Sequence, residues 1–243
     1  MSETLDPTAA FARFGEVEAV ARSRFQKIVA RTMVANATSI PHVTHHDEVD
    51  VTGLEAHRKA LPREARPSPL IFLIQAVVEA LKAHPQFNSS LSPDGETLVL
   101  KRYFNIGVAV DGPLGLLVPV LRDCDAKDAA TLGAELREVT ELARSKGLPM
   151  ERMSGGCFSI SSLGGIGGGT FTPIINAPEV AILGVTSIVT RPVWIGEAFV
   201  PRQMLPLSLS YDHRVINGAD AGRFLRHIAA SLARFEAARP SSS

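Results

Sequence analysis

The side chains best suited to chemistry lie in residues 205–227, LPLSLSYDHRVINGADAGRFLRH. Apolar and polar residues alternate up to Asp212, which predicts a strand with one buried face. His213 follows where the strand ends, ahead of an Asn217-Gly218 turn and a helix, and such positions often carry working side chains. An imidazole there could move a proton near neutral pH, but an isolated histidine can equally be a hydrogen-bonded structural residue. The residue pattern alone leaves both possibilities open.

Residues 157–172, CFSISSLGGIGGGTFT, form the second stretch of interest. They predict a strand over 158–162 that enters a glycine-rich loop over 164–169. Neither GK[ST] nor a GxGxxG entering a helix is present, which disfavours nucleotide binding. The glycines instead favour close backbone approach or unusual dihedral angles near a ligand. Ser161 and Ser162 should point to opposite faces of the strand, and either hydroxyl could simply be hydrogen-bonded within the sheet.

The remaining sequence supplies the elements that must hold these two stretches in place. Apolar periodicity and capping residues predict helices over residues 23–38, 52–61, 68–84 and 127–146. Alternation and turn residues predict strands or hairpins over 16–21, 41–50, 104–121, 180–187 and 192–206, and a small hairpin after 85–91 with its turn at 93–95. No internal repeat or Pro/Ala-rich linker divides the chain. We therefore expect a flexible arm over 1–15, one domain over 16–236 and a disordered tail over 237–243.

The composition argues against several kinds of partner. The 25 basic residues balance 25 acidic ones and no basic block stands out, which disfavours nucleic acid binding. No apolar run approaches the ~20 residues that span a membrane. The first ten residues, MSETLDPTAA, lack the apolar core of a signal peptide. We expect a cytoplasmic protein with no membrane contact.

The cysteines and a histidine-rich segment raise the question of a metal site, and none is expected. Cys124 and Cys157 form no CxxC motif and are interpreted as free, buried thiols in a reducing compartment. His42, His45 and His46 are close in sequence, but neighbours on a strand point to opposite faces and cannot converge on one ion. Solvated or hydrogen-bonded histidines are the better interpretation.

Four segments together resemble one enzyme family. They are DHRVING at 212–218, FSISSLGGIGG at 158–168, NIGVAVDGPLGLLVPV at 105–120 and IPHVT at 40–44. From about residue 17 to residue 232 the chain resembles the catalytic domain of the dihydrolipoamide acyltransferases, the core enzymes of 2-oxo acid dehydrogenase complexes. That family shares its fold with chloramphenicol acetyltransferase. The resemblance therefore implies an α/β fold, a two-layer sandwich in which helices cover a mixed β-sheet.

The resemblance implies catalytic roles for three residues. His213 would be the general base for the attacking thiol, and Ser161 would donate a hydrogen bond to the tetrahedral oxyanion. Asn217 would orient the site. The family usually has aspartate at that position, where it can pair with an arginine of the first helix, which Arg24 matches here. Asparagine keeps the hydrogen-bond acceptor but cannot form the ion pair.

The resemblance also implies supporting roles for Asp212 and Arg214, the two neighbours of the histidine, and substrate contacts for Ser162, Gly164 and Gly165. The implied reaction transfers an acyl group, acetyl in first place, between coenzyme A and dihydrolipoamide. Coenzyme A would be a substrate, the lipoyl group would be carried on a partner domain, and no metal would take part. The implied partners are two further copies of the chain in a homotrimer with active sites at the subunit interfaces, a lipoyl-domain protein and a 2-oxo acid dehydrogenase.

The sequence departs from the family at both ends. Family members usually carry lipoyl and peripheral-subunit-binding domains, and neither is expected here, so the chain is either a fragment or uses a lipoyl domain supplied by another protein. Its end, ARFEAARPSSS, lacks the apolar anchor that builds closed shells, so we expect trimers without a larger shell. Two other functions stay open: a stand-alone acetyltransferase for another small acceptor, and a catalytically inert structural core. The presence of both His213 and Ser161 favours activity.

Overall fold

A mixed β-sheet and a separate hairpin account for the ten strands of the described residues. The structure is a computed structural model that describes residues 8–112, 115–145 and 147–234. Residues 1–7 of the expected arm and the expected tail over 237–243 lie outside the described residues. The strands are β1 (His42–Asp50), β2 (Ser89–Leu91), β3 (Leu98–Leu100), β4 (Ile106–Gly112), β5 (Gly115–Leu117), β6 (Val120–Leu121), β7 (Phe158–Ser162), β8 (Ala181–Val185), β9 (Val189–Ile195) and β10 (Ala198–Asp212).

Eight of these strands form one sheet in the order β1-β10-β8-β7-β4-β5, with β9 paired to β10 and β6 paired to β4. β7 runs parallel to both β4 and β8, and the other pairs are antiparallel. β2 and β3 form the hairpin. The sheet is therefore mixed, as predicted, with β7 in its parallel centre.

The helices begin close to the predicted capping residues. They are α1 (Ala9–Ala12), α2 (Arg24–Ser39), α3 (Thr52–Ala60), α4 (Pro69–Ala83), α5 (Ala129–Ser145) and α6 (Gly218–Ala233). Ser23 caps α2 in a reciprocal capping box with Gln26, at 3.1 and 2.9 Å. Pro69 stands at the first position of α4, where its missing N–H costs nothing.

The main core lies between one face of the sheet and helices α4 and α6. The alternating apolar residues of β10, among them Leu207 and Leu209, are fully buried on this face. On α6, Phe224 stacks on Phe87 with ring centroids 4.1 Å apart and also contacts Phe158 of β7. This packing fixes β7 and β10, the two strands that carry the predicted site residues.

The opposite face of the sheet is more polar and is partly covered by the chain that follows β7. The buried Ser208 and Ser210 of β10 hydrogen-bond to His46 and Thr44 of β1, at 2.9 and 2.8 Å. Phe171 lies against Gly184 of β8, where a Cβ atom would come within 2.8 Å of its ring. The helices and the mixed sheet thus form the predicted α/β sandwich.

The predicted strand over 16–21 is wrong. These residues are exposed, have no regular secondary structure, and have no paired strand among the described residues. Strand propensity alone forms no strand, because each strand needs a hydrogen-bonded neighbour. Within the expected arm, the described residues 8–15 include the one-turn helix α1, whose side chains are all exposed. No helix in the described ranges is both long and apolar enough to cross a membrane.

Candidate active site

His213 lies on the turn after β10, with its backbone fixed and its side chain exposed. Its N–H donates to the carbonyl of Pro41 at 3.0 Å. The N–H of Asp212 donates to the carbonyl of Val180 at 2.8 Å, and the carbonyl of Asp212 accepts from the N–H of Ile216 at 2.9 Å. No hydrogen bond joins the imidazole to another described residue. The ring is thus presented to solvent by a rigid turn, as a general base requires.

Asp212 and Arg214 hold this turn together. The Asp212 side chain is buried and accepts from Nε of Arg214 at 2.9 and 3.1 Å and from Nη2 at 2.6 Å. The backbone N–H of Arg214 donates to the same carboxylate at 3.0 Å. These hydrogen bonds raise the pKa of the Arg214 guanidinium, so it stays charged and the pair stays formed. Neither side chain is hydrogen-bonded to the imidazole, so their contribution is to the turn.

Asn217 caps the helix that follows. Its Oδ1 accepts from the N–H of Asp220 in the first turn of α6 at 3.0 Å, which leaves its Nδ2 free to donate. The predicted turn at this position is therefore the start of α6 itself. Arg24 is exposed at the start of α2 and makes no hydrogen bond or ion pair with another described residue. Within one chain the structure does not join Arg24 to Asn217.

Ser161 lies in the centre of the sheet with small neighbours on both sides. It is paired with Ala109 of β4 and Gly184 of β8, and its half-buried side chain makes no hydrogen bond with a described residue. Its hydroxyl is therefore free to donate to a ligand. Ser162 lies on the other face of β7, as predicted, and its Oγ is 3.5 Å from the N–H of Gly164.

The glycine-rich loop after β7 is held against the chain that follows β8. The carbonyl of Gly164 accepts from the hydroxyl of Ser187 at 2.7 Å, and the carbonyl of Gly169 accepts from the hydroxyl of Thr186 at 2.6 Å. Gly167 has a φ of 100°, which strains any residue with a side chain. The unusual dihedral angles predicted for this loop are therefore present.

A cavity of about 480 Å³ opens beside this loop. Its wall includes Ser162, Gly164 and Gly165, the three residues predicted to contact substrate. The opposite wall comes from α3 and the start of α4, with Arg58 and Ser68 among its polar groups. The volume falls in the range of small-molecule sites.

Sequence reasoning missed the α3 wall of this cavity. Arg58 is held by the buried Glu55 in a two-bond ion pair, with N–O distances of 2.7 and 2.9 Å. This hydrogen bonding raises the pKa of Arg58. The one signal available in the sequence was that Glu55 and Arg58 are three positions apart on a predicted helix. That spacing indicates an ion pair along the helix but does not indicate a cavity.

Ser161 and His213 are far apart within one chain. The register places Ser161 level with Ser208 of β10, through Gly184 of β8. His213 is five residues further along the chain than Ser208. With ~3.3 Å per residue along a strand and ~4.8 Å between strands, the two Cα atoms are about 15–20 Å apart. One chain alone cannot bring both side chains to the same reacting atom.

Two of the three histidines of β1, His42 and His46, form hydrogen bonds within the protein. Nδ1 of His42 is 2.8 Å from the carbonyl of Ile40, and its Nε2 accepts from the N–H of Ile175 at 3.0 Å. His46 is bonded to Ser208, as described above. Across the residues that the structure describes, no group of three or more His, Cys, Asp or Glu side chains could hold a metal ion.

This fold and site correspond to a known class of acyltransferases. The sequence profile of the 2-oxoacid dehydrogenases acyltransferase (catalytic domain) family matches residues 14–238. The chain belongs to this family. Chloramphenicol acetyltransferase superimposes with a TM-score of 0.60 over 89% of this chain and 99% of its own, at 16% identity, which shows the shared fold alone.

The curated relatives that the chain resembles belong to one particular kind of acyltransferase. The dihydrolipoyllysine-residue acetyltransferase component of the pyruvate dehydrogenase complex of Cupriavidus necator is 54% identical over 234 residues, which cover 94% of this chain and 42% of the relative. The Haemophilus influenzae counterpart is 50% identical over 234 residues, 93% of this chain and 41% of the relative. The chain thus spans about two fifths of the length of these curated relatives.

Solved structures agree with these relatives. The dihydrolipoamide acetyltransferase of Azotobacter vinelandii superimposes with a TM-score of 0.91 at 50% identity, over 96% of this chain and 98% of that one. The cubic core of a pyruvate dehydrogenase multienzyme complex gives the same values. In the Azotobacter enzyme, a serine, a histidine 52 positions later and an asparagine four positions after that were studied for their role in the catalytic mechanism.

Proposed function

We propose that this chain transfers an acyl group, acetyl in first place, between coenzyme A and a dihydrolipoyl group carried on a partner domain. One observation carries the proposal. Ser161, His213 and Asn217 repeat the spacing of the serine, histidine and asparagine of the Azotobacter acetyltransferase, within a chain that is 50% identical over nearly its whole length. The acetyl group and the role in a pyruvate dehydrogenase complex follow from the similar relatives.

The chemistry needs a thiolate and a donor for the oxyanion. A thiol has a pKa of about 8.5, so it is mostly protonated at neutral pH. The exposed imidazole of His213 accepts its proton as the sulfur attacks the thioester carbonyl. The resulting tetrahedral oxyanion accepts a hydrogen bond from the free hydroxyl of Ser161. Collapse of this intermediate expels the other thiolate, and the imidazolium returns the proton to it.

The separation of Ser161 from His213 supports a site shared between two subunits. In the proposed homotrimer, one subunit supplies His213 and its neighbour supplies Ser161. Coenzyme A occupies the cavity beside Ser162, Gly164 and Gly165, and the dihydrolipoyl arm reaches the same sulfur-transfer point from the other side. The lipoyl-domain protein and a 2-oxo acid dehydrogenase complete the proposed partners. The two free, buried cysteines suit the reducing cytoplasm, where we place the chain.

The test is acetyl transfer from acetyl-coenzyme A to free dihydrolipoamide. We expect His213→Ala to lose about 10²–10⁴-fold in kcat, as for a lost general base. Ser161→Ala should lose about 10²–10³-fold with little change in KM. His46→Ala, which removes another exposed histidine, is the matched control and should retain activity.

Three results would contradict the proposal. Full activity of His213→Ala would remove the histidine from the mechanism. No turnover with acetyl-, succinyl- or isobutyryl-coenzyme A would favour an inert structural core, and turnover with a small acceptor other than dihydrolipoamide would favour a stand-alone acetyltransferase.

A further inference from the structure

The turn that carries His213 is held from both sides by backbone carbonyls. Pro41, the residue before β1, accepts from the N–H of His213 at 3.0 Å. Val180, the residue before β8, accepts from the N–H of Asp212 at 2.8 Å. β10 lies between β1 and β8 in the sheet, so the two carbonyls flank its end. The position of the turn therefore depends on the spacing of these two flanking segments.

The side chain of His42 joins the two flanking segments. His42 follows Pro41 in the chain, and its Nε2 accepts from the N–H of Ile175 at 3.0 Å. Ile175 belongs to the segment that leads to Val180, five residues further along. The hydrogen bonds thus close a ring, which runs through the imidazole to Ile175, along the chain to Val180, and back through the His213 turn to Pro41.

Both ring nitrogens of His42 are occupied by backbone groups. Nδ1 lies 2.8 Å from the carbonyl of Ile40, which can only accept a hydrogen bond. The N–H of Ile175 can only donate, so Nε2 must be the acceptor. The partners therefore assign a neutral imidazole with its proton on Nδ1. This ring has no nitrogen left for a substrate or a metal ion, and its role is to connect the two segments.

The far end of this connection is itself fixed. The carbonyl of Ile175 accepts from Nδ2 of Asn36 at 3.0 Å, and Asn36 is buried in the last turn of α2. The side chain of Ile175 is fully buried, in a small apolar cluster with Ile40 and Ile182 of β8. The hydrogen bond from His42 therefore reaches a point that is held by its own packing.

We infer that His42 is a positioning residue for the general base, because its imidazole fixes the spacing of the two carbonyls that hold the His213 turn. The inference rests on the proposed function for the role of His213. A base must be held close to its productive position, and a small displacement caused far from the reacting atoms lowers the rate. His42 acts through the backbone of the turn, so its loss should change kcat and leave substrate binding unchanged.

The kinetic test uses two substitutions that each keep one of the two hydrogen bonds. In His42→Asn, an amide nitrogen takes the place of Nδ1 and no acceptor remains for Ile175. We expect kcat with acetyl-coenzyme A and dihydrolipoamide to fall about tenfold, with both KM values unchanged. In His42→Gln, the amide oxygen is as many bonds from the backbone as Nε2, so it can accept from Ile175 and should restore most of kcat.

His46→Asn is the matched control for this test. His46 lies on the same face of β1, four residues from His42, and its imidazole is bonded to Ser208 instead of to the segment before β8. The same substitution there should leave kcat unchanged. Parental kcat in His42→Asn, or a rise in KM in place of a fall in kcat, would overturn the inference.

Amide hydrogen exchange tests the same ring without any substrate. His42→Asn leaves the carbonyls of Pro41 and Val180 in place, so it does not remove an acceptor from the His213 turn. If the imidazole fixes their spacing, the peptide covering residues 209–216 should still exchange about tenfold faster in this variant, and His42→Gln should restore the parental rate. The peptide covering β7 is the internal reference and should keep its rate in both variants.

The exchange results separate this inference from the proposed function. Faster exchange confined to the turn, in a chain that transfers no acyl group, would support the ring and contradict the transfer function. An active transferase whose His42→Asn variant keeps the parental exchange at the turn would overturn the inference alone, whatever its kcat. Faster exchange in β7 as well would also overturn it, because His42 would then support the whole fold and not the turn.

Discussion

The backbone of His213, the proposed general base, is hydrogen-bonded within the fold, whereas its side chain is not hydrogen-bonded to another described residue. Its N–H is bound to Pro41, and the neighbouring Asp212 is bound to Val180, so the turn cannot drift. The imidazole keeps both ring nitrogens available to a substrate. Asp212 and Arg214 pair with one another and not with the imidazole, so they hold the turn without occupying its ring nitrogens.

Glu179 allows a prediction of pH-dependent stability close to this turn. It precedes Val180 and is buried, and burial raises its pKa to about 7 despite the opposing effects of Ser159 and Lys101. The folded state keeps the proton up to about pH 7, while the unfolded carboxyl loses it near its ordinary value of 4.5. The free energy of unfolding should therefore fall by on the order of 2–4 kcal/mol as the pH rises from 4.5 to 7.

Denaturant unfolding of Glu179→Gln across this pH range checks the prediction. The glutamine is neutral at every pH, so the variant should lose the slope between pH 4.5 and 7 and gain stability relative to the parent above pH 7. Glu151→Gln, which changes an exposed glutamate, should retain the parent's slope. The same slope in Glu179→Gln as in the parent would assign the pH dependence to other groups.

At the scale of elements, α6 connects the site to the core. Its buried face, including Phe224, packs against β7 and α4, and its first turn begins at Asn217, four residues after His213. Loss of the cap therefore acts on both stability and the geometry of the turn.

Substitutions of Asn217 separate these two effects. Asn217→Ala removes the cap and should lower the free energy of unfolding by about 1 kcal/mol, because an N-cap oxygen satisfies a free N–H of the helix. Asn217→Asp keeps that oxygen and should unfold like the parent, since aspartate is an equally good cap. Urea unfolding measures both. Equal stability of the alanine variant would show that the hydrogen bond to Asp220 contributes nothing.

The elements that carry the site were predictable because their signals are local. The bounds of β7 match the prediction, the apolar alternation of β10 ends at Asp212 as expected, and the caps at Ser23 and Ser68 mark true helix starts. The Asn217-Gly218 pair was less clear, because such residues occur both in turns and at helix caps. Residues 16–21 could form a strand only beside a neighbouring strand from elsewhere in the chain. Their own sequence does not show whether such a neighbour is present.

The cavity beside the glycine-rich loop could not be predicted from local signals. It forms where α3 and the start of α4 meet the loop after β7, so residues about a hundred positions apart share one wall. Arg58 faces this cavity because of the way α3 packs against its neighbours, which its local sequence does not show. The family resemblance supplied the catalytic residues, and the structure supplied their surroundings.

At the scale of the whole molecule, the distance between Ser161 and His213 has one main consequence. Two residues whose Cα atoms are about 15–20 Å apart cannot act on the same carbonyl, so an active enzyme of this mechanism must combine two chains. Closed cyclic oligomers repeat one interface, and each interface of the proposed trimer would complete one site. Activity and assembly should therefore be inseparable.

The most direct test mixes two inactive variants, His213→Ala and Ser161→Ala, by co-expression with different affinity tags. Each variant alone lacks one half of every site. In mixed oligomers, a Ser161→Ala subunit still supplies His213 and a His213→Ala subunit still supplies Ser161, so each mixed trimer has one intact site of three and should show about a third of the parental activity. Tandem purification on both tags, followed by the acetyl-coenzyme A assay, measures this. Mixed oligomers that remain as inactive as either variant alone would show that each site lies within one chain.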